Sequence, residues 1–157
     1  MISNKRRVFL KGTLAAGTVG VAVGAGLLTP AQVLAAMRPM DAFAARGYEA
    51  SLQATVGSTE MAAGEIEITA PEIAENGMVV PVTVETSMPN VSEMALFVEK
   101  NGAPLTSKYV LGAGAVSMFA TRIKMAESSD VVAAVKSGDT WYSAKREVKV
   151  TIGGCGG

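Results

Sequence analysis

Polar and apolar residues alternate in short runs over most of the chain, and this period of two constrains the fold more than any other feature of the sequence. The run Glu65-Ile66-Glu67-Ile68-Thr69 is typical of a strand with one buried face. Turn dipeptides such as Asn76-Gly77 and Asn101-Gly102 separate successive runs. The pattern predicts seven strands, at residues 65–69, 78–85, 94–99, 107–111, 117–125, 130–136 and 141–152.

Seven short strands separated by turns predict an all-β fold, an immunoglobulin-like antiparallel β-sandwich at residues 63–152. A closed barrel is the alternative. Pro81 lies inside the second run, and it predicts an edge position or a bulge because proline cannot donate to a ladder. Residues 37–62 are rich in helix formers and predict a short N-terminal helix, although Gly47 weakens it by about 1 kcal/mol relative to alanine.

The N-terminus has the features of an export signal. Arg6 and Arg7 precede the uncharged stretch 12–28, and small residues follow around Ala35 and Ala36. We therefore expect a twin-arginine signal peptide at residues 1–36, cleaved after Ala35 or Ala36, and a folded mature protein in the periplasm. The alternative is a membrane anchor. The uncharged stretch is shorter than the ~20 residues that span a bilayer, so we expect no stable anchor.

Charge and residue inventory exclude several classes of function. Loss of the signal removes four basic residues and no acidic ones, which leaves 10 basic against 14 acidic residues. A net charge of −4 argues against nucleic acid as a partner. The chain has no histidine and one cysteine, so we expect no protein-held metal and no cofactor.

The chain ends in the sequence TIGGCGG, and its only cysteine lies between two pairs of glycine. We expect residues 153–157 to form a flexible arm, because glycine leaves the backbone free and adds no side-chain bulk. Extended, the arm places Cys155 roughly 10 Å beyond Ile152. The residues that give this freedom are Gly153, Gly154, Gly156 and Gly157.

The thiol of Cys155 has no activating base in its own chain. Without histidine, an enzyme of the Cys-His type is excluded, and only a few per cent of the thiol should be ionised at neutral pH. We interpret Cys155 as a covalent handle that other proteins activate. A cysteine that only forms an intermolecular disulfide is the alternative. A methionine-based copper site is a third interpretation. Most methionines, however, lie at alternating strand positions, which is typical of packing in a core or at an interface.

Three stretches together resemble the SoxY family, the sulfur-carrier subunits of the periplasmic thiosulfate-oxidising (Sox) system. They are the twin-arginine start, PEIAENGMVVPVTVET, and the C-terminal TRIKMAESSDVVAAVKSGDTWYSAKREVKVTIGGCGG. The resemblance covers about Glu65 to Gly157, and the terminal Gly-Gly-Cys-Gly-Gly is its most specific part. One departure is Gly102-Ala103, which stands where we expect a proline-rich loop.

The resemblance implies a carrier that is not itself an enzyme and that holds sulfur intermediates covalently on Cys155. In the family, a c-type cytochrome pair (SoxAX) couples thiosulfate to the thiol. A di-manganese hydrolase (SoxB) then releases sulfate, and a molybdenum–haem sulfane dehydrogenase oxidises the remaining sulfur. The resemblance also implies a heterodimer with the small immunoglobulin-like subunit SoxZ, which would be exported bound to this chain.

Overall fold

The computed structural model describes residues 40–151, which form two helices and nine strands. The helices are α1 (Met40–Ala44) and α2 (Tyr48–Val56). The strands are β1 (Ala62–Ala63), β2 (Ile66–Thr69), β3 (Ile73–Ala74), β4 (Val80–Thr86), β5 (Val91–Val98), β6 (Leu105–Val110), β7 (Met118–Ile123), β8 (Ser129–Ser137) and β9 (Thr140–Val150).

The strands form two separate sheets. The predicted sandwich is therefore confirmed, and the alternative of a closed barrel is not. The large sheet has the order β1-β9-β8-β5-β6, and β3 also pairs with β9. The small sheet has the order β2-β4-β7. All seven predicted strands are present with slightly different ends. The last of them reaches Val150, and its predicted final residue lies outside the described part of the chain.

Two short strands depart from the antiparallel pattern. β1 and β3 both run parallel to β9, with Ala62 opposite Tyr142 and Ile73 opposite Lys149. Between them the chain leaves the large sheet to form β2 in the small one. With two residues each, β1 and β3 are too short to show any periodicity, which is why the sequence did not predict them.

The main core lies between the two sheets. Its side chains come from the inward positions of both sheets, as the alternation predicts. Met94 and Met125 are fully buried in it, which confirms core packing for these two methionines. The buried members are Ile68, Ala70, Ala74, Val80, Val82, Val84, Met94, Leu96, Val98, Ile123, Met125, Val131, Ala133, Val135 and Val148.

A second core lies on the outer face of the large sheet, under the helices. Because β5 and β8 are covered on both faces, every residue from Met94 to Val98 is buried. The helical segment is broken at Gly47, whose φ of 82° favours glycine. No helix in residues 40–151 is long and apolar enough to cross a membrane. The buried members of this second cluster are Ala42, Leu52, Ala95, Phe97, Leu105, Val132 and Ala134.

Pro81 lies at a local edge position, as the sequence predicted, although its strand is the central one of its sheet. β4 is the central strand of the small sheet, with Pro81 opposite Arg122 of β7. The pairing of β2 with β4 runs only from Thr86 to Thr83, so it ends before Pro81. Proline is tolerated there because the strand has a ladder partner on only one side at that point.

A cluster of three charged side chains joins β6, β5 and β8. Glu93 accepts contacts from Lys108 at 2.8 Å and from Lys136 at 3.3 Å. Lys108 also donates to the carbonyl of Thr55 in the last turn of α2, at 3.3 Å. Partial burial raises the pKa of Glu93, but the hydrogen bonds and charges of the two lysines outweigh it and lower the pKa overall. The cluster therefore ties the helical layer to the large sheet.

We expect Glu93→Gln to lower the free energy of unfolding by about 1 kcal/mol at pH 7, because these charge-assisted contacts are partly exposed. A carboxyl whose pKa is lowered by folding stabilises the protein above its unfolded pKa, and this stabilisation is lost as the pH falls through the folded value. The difference between variant and parent should therefore disappear in acid. Urea unfolding at pH 7 and at pH 3 measures it, and a difference that grows in acid would contradict the assignment.

Candidate functional site

The residues predicted to carry the function lie at the two ends of the chain. Cys155 and the glycines of the arm lie beyond Thr151, outside the described residues, and so do Arg6 and Arg7. The predicted boundaries at residues 36 and 152 also lie outside them. What the structure shows is the base of the arm, the end of β9 from which residues 152–157 continue.

One side of this strand end is held by β3 and its neighbours. The amide of Lys149 donates to the carbonyl of Glu72 at 2.9 Å, and the amide of Thr151 donates to the carbonyl of Ala74 at 3.1 Å. The hydroxyl of Thr151 donates to the carbonyl of Glu75 at 3.0 Å. Three successive contacts therefore fix the backbone up to its last described residue.

The other side is held by a serine that precedes β8. The amide of Val150 donates to the hydroxyl oxygen of Ser128 at 2.9 Å, and that hydroxyl lies 3.4 Å from the carbonyl of Val150. Val148 is fully buried in the main core. Hydrogen bonds on both edges and an apolar anchor make Thr151 a fixed point of attachment.

The distance from this fixed point limits where the thiol can act. Cys155 is four residues beyond Thr151, and an extended chain spans at most ~3.3–3.6 Å per residue, so the Cα of Cys155 can stand about 14 Å away. Any protein that takes the thiol into its active site must therefore approach this end of the sandwich closely.

The surface near the base of the arm carries exposed apolar side chains. Ile73, Met78 and Val79 are each at least half exposed, and they lie on β3 or just before β4. Apolar side chains at this level of exposure are common singly, and these three lie within or directly after the segment whose carbonyls hold the end of β9.

A cleft of about 310 Å³ lies along the edge of β9 beside β3. Two cations and two carboxylates line it, so it has no net charge, and Ile73 is its apolar member. Within residues 40–151, the Nε of Arg146 is buried without a hydrogen-bond partner. The lining residues are Glu72, Ile73, Arg146, Glu147 and Lys149.

The anchors of the arm were missed by sequence reasoning. The sequence of residues 71–77 predicts a turn. In the structure, the carbonyls of Glu72, Ala74 and Glu75 in this segment hold the end of β9. The exposed side chains of Glu72 and Glu75 agree with that reading, because only their backbone takes part. Ser128 gave no signal, since a serine between strands is ordinary loop composition.

The loop with the Gly102-Ala103 departure is closed by Asn101. Its side-chain amide donates to the carbonyl of Lys124 at 2.8 Å, and its side-chain oxygen accepts from the amide of Ala126 at 3.0 Å. The carbonyl of Gly102 accepts a long contact of 3.5 Å from Arg46. The loop thus has a defined conformation with Gly102-Ala103 directly before Pro104.

Comparison with protein families gives one match that covers most of the described chain. The family model described as sulfur oxidation protein SoxY matches residues 52–155, a range that ends on the predicted carrier cysteine. A search of curated proteins gives no match.

Two solved structures are similar to this fold. The sulfur carrier protein SoxY from Chlorobium limicola f thiosulfatophilum is 36% identical, with a TM-score of 0.60 over 65% of this chain and 90% of that one. A superoxide reductase (neelaredoxin) from Ignicoccus hospitalis has a TM-score of 0.50 at 19% identity, over 55% of this chain and 80% of that one. At that identity the second similarity shows a shared fold alone.

Proposed function

The chain belongs to the SoxY family of sulfur-oxidation proteins, and we propose that it holds sulfur intermediates covalently on the thiol of Cys155 and presents them to partner enzymes. The observation that carries this proposal is that the end of β9 is held on both edges, by Ser128 at Val150 and by residues 74–75 at Thr151, four residues before the glycine-flanked Cys155. A fixed base and a free tip are what a carrier needs to enter a narrow active site.

The proposed loading step joins the thiolate of Cys155 to thiosulfate through a new S–S bond. Two electrons leave in this step, and a c-type cytochrome partner accepts them. The product is a cysteine S-thiosulfonate. Attack of water on its terminal sulfur then releases sulfate and two protons and leaves a persulfide on Cys155. This second step involves no oxidation and belongs to a hydrolase partner.

We assign no catalysis to the chain itself. The redox step needs an electron acceptor, and the hydrolytic step needs an activated water. Within residues 40–151, no three histidine, cysteine, aspartate or glutamate side chains gather as a metal site would require. The partners are proposed to be enzymes like SoxAX, SoxB and a sulfane dehydrogenase, with a SoxZ-like subunit as the permanent companion. The proposed compartment is the periplasm, reached through the signal containing Arg6 and Arg7.

The experiment that tests the proposal is intact-mass spectrometry of the protein during thiosulfate turnover with its partner enzymes. We expect adducts with the mass of a thiosulfonate and of a persulfide, and peptide mapping should place both on Cys155. A reducing agent should remove both adducts, because each is joined through an S–S bond.

The alternative function, a β-sandwich module whose cysteine only cross-links subunits, predicts different masses. In that case turnover should yield only free thiol or a disulfide-linked species. Non-reducing electrophoresis of the same samples separates the two outcomes.

A further inference from the structure

Three loops meet at the end of the sandwich where β9 ends. They are the loop between β3 and β4, the loop between β5 and β6, and the loop between β7 and β8. The amide of Met125 in the β7–β8 loop donates to the carbonyl of Gly77 in the β3–β4 loop at 2.7 Å. The amide of Lys100 in the β5–β6 loop donates to the hydroxyl oxygen of Ser129, the first residue of β8, at 3.1 Å. Hydrogen bonds therefore join the three loops into one unit.

The side chain of Asn101 acts as a strand partner within this unit. Its Nδ2 donates to the carbonyl of Lys124 at 2.8 Å, and its Oδ1 accepts from the amide of Ala126 at 3.0 Å. The two backbone partners fix which way round the side-chain amide lies, because a carbonyl can only accept and an amide can only donate. In an extended chain, the carbonyl of one residue and the amide two positions later face the same edge. Asn101 thus supplies one rung of a ladder without being part of a strand.

Met125 is held on both edges as a result. Its amide faces the edge opposite to Asn101 and bonds the carbonyl of Gly77, and its side chain is fully buried in the main core. Asn101 belongs to a loop of the large sheet, whereas the segment that it holds follows the last strand of the small sheet. The side chain of Asn101 therefore ties the two sheets together at this end.

Both attachments of the end of β9 lead back to the segment that Asn101 holds. On one edge, the hydroxyl that bonds Val150 belongs to Ser128, two positions after Ala126. On the other edge, the carbonyls of residues 74–75 bond Thr151, and the turn that follows them accepts the hydrogen bond from the middle of the segment. A shift of this segment would therefore move both supports of the strand end.

We propose that Asn101 is a positioning residue for the arm: its side chain fixes the loops that hold the end of β9, and so fixes the point from which the arm starts. This inference rests on the proposed function, because a fixed starting point matters only if the arm delivers a group to a partner. A starting point that moves spreads the tip over a larger volume. It thereby lowers the effective concentration of Cys155 at the active site of a docked enzyme.

The first test is hydrogen exchange, measured by NMR, at the amides of Val150 and Thr151. Asn101→Ala removes both side-chain contacts, and we expect these two amides to exchange at least about tenfold faster than in the parent. Asn101→Asp keeps the acceptor for the amide of Ala126, but a carboxylate cannot donate to the carbonyl of Lys124. This variant should also exchange faster, and it carries the test if the alanine variant fails to fold.

Gln53→Ala is the matched control for the exchange experiment. Gln53 also donates its side-chain amide to a backbone carbonyl, that of Gly57 at 3.2 Å, but it does so in the helical layer. Its loss should leave the exchange of Val150 and Thr151 unchanged. Equal exchange of these two amides in the parent and in the folded Asn101 variants would overturn the proposal.

The second test is the rate of sulfate release by the hydrolase partner, with the loaded chain as the varied substrate. We expect Asn101→Ala to lower kcat about three- to tenfold with KM nearly unchanged, because docking is retained while the effective concentration of the tip falls. Alkylation of Cys155 by iodoacetamide should proceed at the parent rate, since a small reagent does not depend on where the arm starts.

Two kinetic results would contradict the positioning role of Asn101. A higher KM with an unchanged kcat would place Asn101 in the docking surface, and faster exchange without any fall in kcat would show that the fixed starting point is not used. If the parent chain forms no sulfur adduct, the proposed function fails instead. The exchange comparison then still decides whether Asn101 fixes the end of β9.

Discussion

Replacing Cys155 with serine should reduce sulfate formation from thiosulfate to the background of the assay in a system reconstituted with the partner enzymes. Serine keeps the size and polarity of the side chain, but it has no sulfur with which to form the S–S bond to thiosulfate. The free energy of unfolding should change by less than about 0.5 kcal/mol, because the described contacts of the strand end stop at Thr151. Sulfate release and urea unfolding of the same preparation measure both quantities.

A relocated thiol provides the matched control. Ser87 is exposed, and it lies at the end of the sandwich opposite Thr151. The double variant Cys155→Ser with Ser87→Cys restores the thiol count but not the arm. We expect it to remain inactive, because a thiol on a folded surface cannot enter a narrow active site. Sulfate release by this variant at the parent rate would refute the requirement for the arm.

Replacing Phe97 with alanine should lower the free energy of unfolding by about 3–5 kcal/mol, the largest effect that we expect from one core substitution. Phe97 is 0% exposed on the outer face of β5, and Tyr48 of α2 packs edge-on against it, with ring centroids 6.1 Å apart. A loss of this size is a third or more of the total for many domains, which is 5–15 kcal/mol. Denaturant unfolding followed by fluorescence of Trp141, which packs against the same cluster, measures it.

Val110→Ala is the control for this substitution. Val110 ends the neighbouring strand and is 77% exposed, so its truncation should cost less than about 0.5 kcal/mol. Equal effects of the two variants would contradict the burial of Phe97 in a core beneath the helices. The ring of Tyr48 offers an independent readout. Its burial, together with the charges of Glu99 and Asp130, raises its pKa to about 12, and loss of Phe97 should return that pKa towards the ordinary value near 10.

The alternation of side chains predicted the sandwich because an exposed sheet face leaves a clear record in the sequence. Strands β4 and β9 have one such face, and both were located closely. Strand β5 is buried on both faces, so the run from Met94 to Val98 shows no alternation in its burial. Periodicity therefore could not predict the second core, and the sequence predicted the N-terminal helical segment but not the sheet face that it covers.

The candidate functional site was also predictable from the sequence only in part. The thiol and its glycines were evident from composition, since an isolated cysteine among glycines has no structural use in a core. The attachment point of the arm was not evident from composition. Strand β3 holds β9 through contacts between residues that are more than 70 positions apart in sequence. Backbone carbonyls provide most of these contacts, and side-chain identity records little about them.

The hydrogen bonds on both edges of the end of β9 also have a mechanical consequence. If partner enzymes take up and release the arm as proposed, tension on Cys155 would be transmitted through Thr151 along the axis of β9. Hydrogen bonds between antiparallel strands lie nearly perpendicular to that axis, so the pull shears many of them at once instead of opening them one after another. Residues 140–148 of β9 pair with β8, and its last two residues, Lys149 and Val150, pair with β3. Under the proposed function, this pairing would keep the sandwich from unravelling when its C-terminal tail is pulled repeatedly.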